Sequence, residues 1–263
     1  MIDFADVNGV ALRYSLSGAG TRRLVLVHEM GGTLESWTEV ADHLAPDYQI
    51  LTYDTRGAGL SEKIRGEVGI DDLASDLLAL LDRIGWKDGL SIAGCAVGAA
   101  IAIRAIIRQP ARFVALAALS PALGVAAGKR DETIAAGDRL IELGVRTVGD
   151  SSWDRAFPLL LRDNAERVNA VRCRKLGNDP ESFAALYRMV ATMDMASDLS
   201  GIACPALFLA GRHDQTRTPE MVQAYSAQVP DARFAVVESG HVMQALTPDP
   251  VAECLRDFFA AVA

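Results

Sequence analysis

Leu90-Ser91-Ile92-Ala93-Gly94-Cys95-Ala96-Val97-Gly98-Ala99-Ala100 joins two kinds of pattern within a few residues. An apolar run ends at Gly94, and from Gly98 onward Ala99, Ala100, Ile101, Ala102 and Ile103 read as a buried helix. A tight strand-to-helix turn must lie between them. Glycines two residues either side of Ala96 let strand and helix pass closely, which a Cβ at either place would oppose. Gly-x-nucleophile-x-Gly is the pattern of a strained turn that presents its central side chain at the end of a strand. Here the central residue is Ala96, which has no lone pair to attack anything. The chain carries the frame of a nucleophilic site without its reactive hydroxyl, and any functional reading has to account for that.

The 263 residues suit one α/β domain with an insertion and suffice for a large core. Half are apolar, yet no uninterrupted apolar stretch approaches the roughly 20 residues that span a bilayer. Met1-Ile2-Asp3-Phe4-Ala5-Asp6 has neither the basic nor the apolar segment of a secretion signal. Cys95, Cys173, Cys204 and Cys254 lie far apart without metal-ligand spacing, which points to reduced thiols in a cytoplasmic protein. A net charge of -8 without a basic stripe argues against nucleic acid. We therefore expect no membrane, nucleic-acid, metal or cofactor partner; the oligomeric state stays open at this level.

Outward from the turn, the chain alternates. Val7-Asn8-Gly9-Val10 reads as a hairpin turn, with Ala11 to Leu16 as its second strand. Leu24 to Val27 and Gln49 to Tyr53 are apolar runs of the kind buried on both faces of a sheet. Helical spacing covers Leu34 to Leu44 and the face Leu73, Leu77, Leu80, Leu81 and Ile84, with Asp71 or Asp72 as cap and Gly85 as terminator. Phe113 to Leu119 is the next strand. From about 130 to 197 only helical spacing appears. Alternation resumes with a strand at Ala206 to Ala210, a helix at Pro219 to Val229, a strand at Arg233 to Val237 and a helix at Pro250 to Val262. The expected organisation is a core from 1–125 and 198–263, with a helical cap, 126–197, inserted in it. Such a sheet is mostly parallel, with right-handed crossovers and helices on both faces.

Ligands bind beyond the carboxyl ends of such strands. There, Gly211-Arg212-His213-Asp214 and Glu238-Ser239-Gly240-His241 join the turn at Ala96 to give nucleophile position, acid and histidine in order. His241 would take a proton, and Asp214 would hold its ring and stabilise the imidazolium. His43 and His213 read as ordinary surface or core residues. The loop His28-Glu29-Met30-Gly31-Gly32 follows an early strand, so the amides of Met30 and Val97 are the expected oxyanion hole. Neither depends on the side chain of Ala96. Glu29 is either a solvated loop residue or a carboxylate at the pocket rim, where it would bind substrate. Cys95 could be a nucleophile only in a register shifted by one, which puts β-branched Val97 in a flanking position; it reads better as a small buried residue.

Together these residues resemble the α/β-hydrolase superfamily over nearly the whole chain. Asp54-Thr55-Arg56-Gly57-Ala58-Gly59-Leu60-Ser61 looks like its Asp-x-Arg-Gly-x-Gly-x-Ser segment. Within it, Asp6-Val7-Asn8-Gly9-Val10, that arginine loop and Trp153 to Phe157 look most like 3-oxoadipate enol-lactonases. The resemblance implies the α/β-hydrolase fold, a helical cap over the pocket and a small, often acidic, carbonyl compound as substrate. Within that cap Trp153 either faces the cavity and binds substrate or packs between cap helices. The departure is Ala96.

Three readings follow. Ala96 replaces a serine, introduced or lost, and the parent is a hydrolase of esters, enol-lactones or C–C bonds. Alternatively, Ala96 is native, and His241 with Asp214 is a general base in hydrolysis, lyase or cofactor-free oxygenase chemistry without a covalent intermediate. The third reading is a non-catalytic binder of small ligands, against which the retained acid and histidine argue. The first is the expectation carried forward.

Overall fold

The computed structural model describes residues 2–147 and 150–262. Eight strands form one sheet: β1 (Ile2–Val7), β2 (Val10–Ser17), β3 (Arg22–Val27), β4 (Tyr48–Tyr53), β5 (Leu90–Cys95), β6 (Phe113–Leu119), β7 (Ala206–Gly211) and β8 (Ala232–Val237). Their order is β1-β2-β4-β3-β5-β6-β7-β8, antiparallel at β1–β2 and β2–β4 and parallel elsewhere. The helices are α1 (Thr38–Leu44), α2 (Ile70–Arg83), α3 (Val97–Arg108), α4 (Arg130–Leu143), α5 (Asp150–Ala156), α6 (Ala165–Leu176), α7 (Pro180–Thr192), α8 (Pro219–Ser226), α9 (Met243–Leu246) and α10 (Pro248–Ala261). Among the described residues no helix is long and apolar enough to cross a membrane.

The strand order dictates where the helices go. From β3 the chain steps through α1 to β4 on one side, and from β5 through α3 to β6 on the other. Right-handed crossovers in opposite directions put their helices on opposite faces. Accordingly α1 packs with α10, and α2 packs with α3. The central strands are buried on both faces: Leu24 to Val27, Leu90, Ile92, Ala93 and Ala115 to Leu119 are all sealed from solvent. Their near-continuous apolar runs reflect that double burial.

Element ends differ from the sequence reading in small ways with local causes. Residues 34–37 form a 3₁₀ turn ahead of α1, its first amide, Leu34, donating to Asp54 Oδ1 at 2.7 Å. Neither Asp71 nor Asp72 is the cap of α2; Gly69 occupies that position, and its N–H donates to Asp72 Oδ2 at 2.8 Å. β5 runs through Cys95, so the turn is confined to Ala96. α8 stops at Ser226, and α10 starts at Pro248, where proline suits a first helical turn.

Strand register brings the loops together. Val27 pairs with Gly94, Cys95 with Leu119, Leu119 with Leu209, and Gly211 with Val237. The carboxyl ends of five neighbouring strands therefore line one edge of the sheet. Between β6 and β7 the described residues hold α4, α5, α6 and α7 but no strand, and Gly124 meets Asp194 in a short antiparallel bridge where the excursion leaves and returns.

Candidate active site

Ala96 stands between β5 and α3 with φ 53° and ψ −113°. L-residues avoid that region at a cost of order 1–3 kcal/mol, so surrounding structure must impose it. Its N–H donates to Leu119 O at 2.9 Å, and its carbonyl accepts from Ala99, Ala100 and Ala122. The flanking glycines are required by close approach: a Cβ on Gly94 would lie 2.3 Å from Gly98 O, and one on Gly98 2.3 Å from Val27 O. The expected elbow geometry is present, with a methyl group where it would display a nucleophile.

Two residues with unpaired amides line the same space. Val97 is the first residue of α3, and Met30 follows β3; both line the cavity that contains Ala96. Neither N–H donates a hydrogen bond to another group among the described residues. The free amide of Val97, at a helix start with its partial positive charge, suits a developing oxyanion. The loop bearing Met30 is braced through His28, whose Nε2 accepts from Thr55 N–H at 3.0 Å. Its Nδ1 therefore carries the proton and donates to Glu29 O at 2.7 Å.

The structure brings Asp214 and His241 together. His241 Nδ1 lies 2.7 Å from Asp214 Oδ2, while Asp214 Oδ1 accepts the amides of Thr216 and Arg217 at 2.7 and 2.9 Å. Asp214 is buried. Burial alone would raise its pKa, but the charge and hydrogen bond of His241 and the Arg217 amide outweigh it and hold the carboxyl below its ordinary value. Asp214 thus accepts from Nδ1–H, which leaves Nε2 of a neutral ring as the lone-pair nitrogen. His241 lines the cavity with Ala96.

That cavity holds about 730 Å³. Trp153 of α5 lines it while stacking on Phe157, centroids 4.9 Å apart and planes 6° from parallel, so it both packs and faces the space. Glu29 also borders it, but as neither a solvated nor a projecting rim carboxylate. It is buried, its Oε1 accepting from Ser36 Oγ at 3.1 Å and its Oε2 from Gln244 Nε2 at 2.6 Å. Cys95 is buried with its thiol against His241 O at 3.4 Å, and burial followed by the charges of Glu29 and Asp214 raises its pKa well above the ordinary value. His43 and His213 pair at the surface with Asp249 and Glu238. The arginine loop is a clip: Asp54 takes Leu34 and Leu60 amides and Arg13, and Arg56 binds Asp76 with both arms.

Of the cations that line the cavity, Arg217 and Lys175 bear on its chemistry, and the sequence reading singled out neither. Arg217 donates Nη1 to Thr216 O at 3.0 Å and Nη2 to Gly124 O at 2.9 Å, with Nε unpartnered and no carboxylate pairing with it among the described residues. Lys175 of α6 lies 5.3 Å from the Trp153 ring centroid. Arg217 had one available signal, its place three residues after the acid; Lys175 had none, since it sits in a run of basic residues that reads as solvated.

Comparison with known proteins agrees with this fold. A family model described as serine aminopeptidase, S33, matches residues 20–241. The 3-oxoadipate enol-lactonase 2 of Acinetobacter baylyi is 25% identical over 94% of this chain and 92% of its own length. Among solved structures, a malate-bound thermophilic esterase from Thermogutta terrifontis superposes with a TM-score of 0.93 at 21% identity, covering 100% of this chain and 99% of that one. The enol-lactonase of Burkholderia xenovorans LB400 gives 0.92 at 23% identity, covering 98% and 100%. The fold is that of the α/β-hydrolases, and the chain belongs to the hydrolase family described as serine aminopeptidase, S33.

Proposed function

We propose that this chain is a hydrolase of a small anionic carbonyl compound, an ester or enol-lactone, in which His241 activates water because position 96 offers no nucleophile. The observation that carries the reading is the juxtaposition of Ala96, at its strained elbow, with His241 in one cavity, the ring held through Nδ1 by Asp214. Nε2 of His241 takes a proton as water oxygen attacks the carbonyl carbon. The amides of Met30 and Val97 stabilise the resulting oxyanion. Collapse breaks the bond to the leaving oxygen, which recovers the proton from the imidazolium. Arg217, with no carboxylate partner among the described residues, offers the anionic end of the substrate a place to dock. Trp153 and Phe157 supply an apolar wall that strengthens those electrostatic interactions by excluding water.

The test compares the Ala96 chain with Ala96→Ser on one p-nitrophenyl ester of a dicarboxylic acid. A hole and pocket without nucleophile can retain ~10³ to 10⁴ over water, so turnover by the Ala96 chain alone is ambiguous. Direct water attack requires that His241→Gln abolish turnover in the Ala96 chain and that no acyl-enzyme burst be seen. If Ala96→Ser gains several orders of magnitude with a burst, and that gain depends on His241, the ancestral route is covalent and the water route is its residue. If neither chain hydrolyses the ester while the free acid binds tightly, the hydrolytic reading is wrong.

A further inference from the structure

We infer that Lys175 is a carbonyl-capturing amine, and that the cavity takes a small oxo acid, aldehyde or ketone, which condenses on Nζ as an imine while Arg217 holds its carboxylate. The hydrolytic proposal shares this cavity and the docking of a carboxylate on Arg217, but not the imine chemistry at Lys175.

Lys175 lies on α6, one turn from Val171, and both line the cavity with Trp153, Phe157 and His241. Nζ sits over the Trp153 ring at 5.3 Å, and no carboxylate or carbonyl among the described residues accepts a hydrogen bond from it. The chain has three other lysines, and two of them are tied down: Lys63 donates to the carbonyls of Ala58, Gly59 and Ser61, and Lys129 pairs with Glu132 at 2.7 Å. Lys87 is exposed. Of the four, Lys175 alone combines enclosure, an apolar neighbourhood and no acceptor.

An ammonium so placed loses hydration and gains only the ring face in return. Burial accordingly pushes Lys175 down to about 8. About half the side chain is then neutral near pH 8, against well under one per cent for an amine at the ordinary value. A neutral amine in an apolar pocket is a nucleophile toward carbonyl carbon. The acceptor must suit the rest of the wall. Arg139, Arg155 and Arg217 line the same space, against the carboxylates Glu29 and Glu132, of which Glu132 is paired with Lys129 and Glu29 is held by Ser36 and Gln244. The unbalanced charge is positive, so the carbonyl compound should bear a carboxylate.

The step balances without a co-reactant. Nζ adds to the carbonyl carbon, a proton moves from nitrogen to oxygen, and the carbinolamine loses water as C=N replaces C–O. The reverse reaction regenerates amine and carbonyl, and nothing is oxidised or reduced.

Reductive trapping tests this on the intact chain. The protein is incubated with glyoxylate and cyanoborohydride at pH 7.5, and peptide mapping reads the rate of adduct formation at each lysine. We expect one fast equivalent at Lys175, at least tenfold ahead of Lys63, Lys87 and Lys129, slowed at least fivefold by Arg217→Gln. Labelling spread evenly over the lysines, or absent from Lys175, overturns the inference. Lys175 labelling indifferent to Arg217→Gln overturns the carboxylate-docking half. The readout needs no turnover, so a chain that hydrolyses no ester can still be trapped, and failure of one proposal is distinguishable from failure of the other.

Discussion

Replacing Asp214 by asparagine and by alanine should damage the protein in opposite ways. The reason is how the carboxylate divides its work. Oδ1 accepts the amides of Thr216 and Arg217, and Oδ2 accepts Nδ1–H of His241. In Asp214→Asn the side-chain oxygen must keep the two backbone donors, which turns the amide NH₂ toward His241. Nδ1 must then accept, the ring proton moves to Nε2, and the base is lost. A wrong tautomer in a comparable site costs about 10⁴ in turnover, or roughly 5 kcal/mol of transition-state stabilisation. Asp214→Ala leaves the ring free to choose, so the loss should be nearer ~10², the lower end for a misplaced general base. Stability should rank the other way. Alanine strands two backbone amides and Nδ1 in a buried site, at about 1–3 kcal/mol for each unpaired group, whereas asparagine keeps the amides satisfied. The assay is kcat/KM on the dicarboxylate ester with urea midpoints alongside, run on whichever of the Ala96 and Ala96→Ser chains is faster. Asparagine no worse than alanine in kcat/KM would refute the tautomer argument, and asparagine retaining a tenth of the activity would refute the role of Asp214 altogether.

Ala96→Gly should cost at least about 1 kcal/mol less than Ala105→Gly, because glycine relieves φ 53° at the elbow but weakens the interior of α3; thermal unfolding of both variants checks this. Arg217→Gln should raise KM for the anionic ester by tenfold or more while leaving kcat/KM for p-nitrophenyl acetate within about threefold. The carboxyl of Asp214 is held below its ordinary value, so its stabilisation is complete above the unfolded value of about 3.9 and fades as pH falls through the lower folded one. The difference in urea midpoint between the parent and Asp214→Asn should therefore shrink as pH falls from 5 toward 2.

Periodicity made most of the sheet legible, because strands buried on both faces must be apolar throughout, as Leu24 to Val27 and Ala115 to Leu119 are. The elbow was legible because close backbone passage forces glycine at 94 and 98. His241 and Asp214 could be picked out by chain order after two strands, since the sheet register aligns those strand ends. Glu29 was harder: its two donors, Ser36 and Gln244, are 7 and 215 residues away, and only the folded chain turns the carboxylate inward. Lys175 was illegible for a related reason. Which face of α6 meets the cavity is fixed by packing against α9 and neighbouring turns, and local sequence carries little trace of it.

The excursion between β6 and β7 has a kinetic meaning. Strands β1 to β6, with the elbow and the amides of Met30 and Val97, can pair while the remainder is still being synthesised. β7 must then find β6 across about 90 residues, an entropic cost roughly 2 kcal/mol above that of a ten-residue connection. Asp214 follows β7 and His241 follows β8, so both titrating groups arrive with the strands that join last. A folding chain paused before that closure owns the strained turn and both amides but no base. During refolding, the far-ultraviolet signal of the sheet should recover before the first product molecule is released.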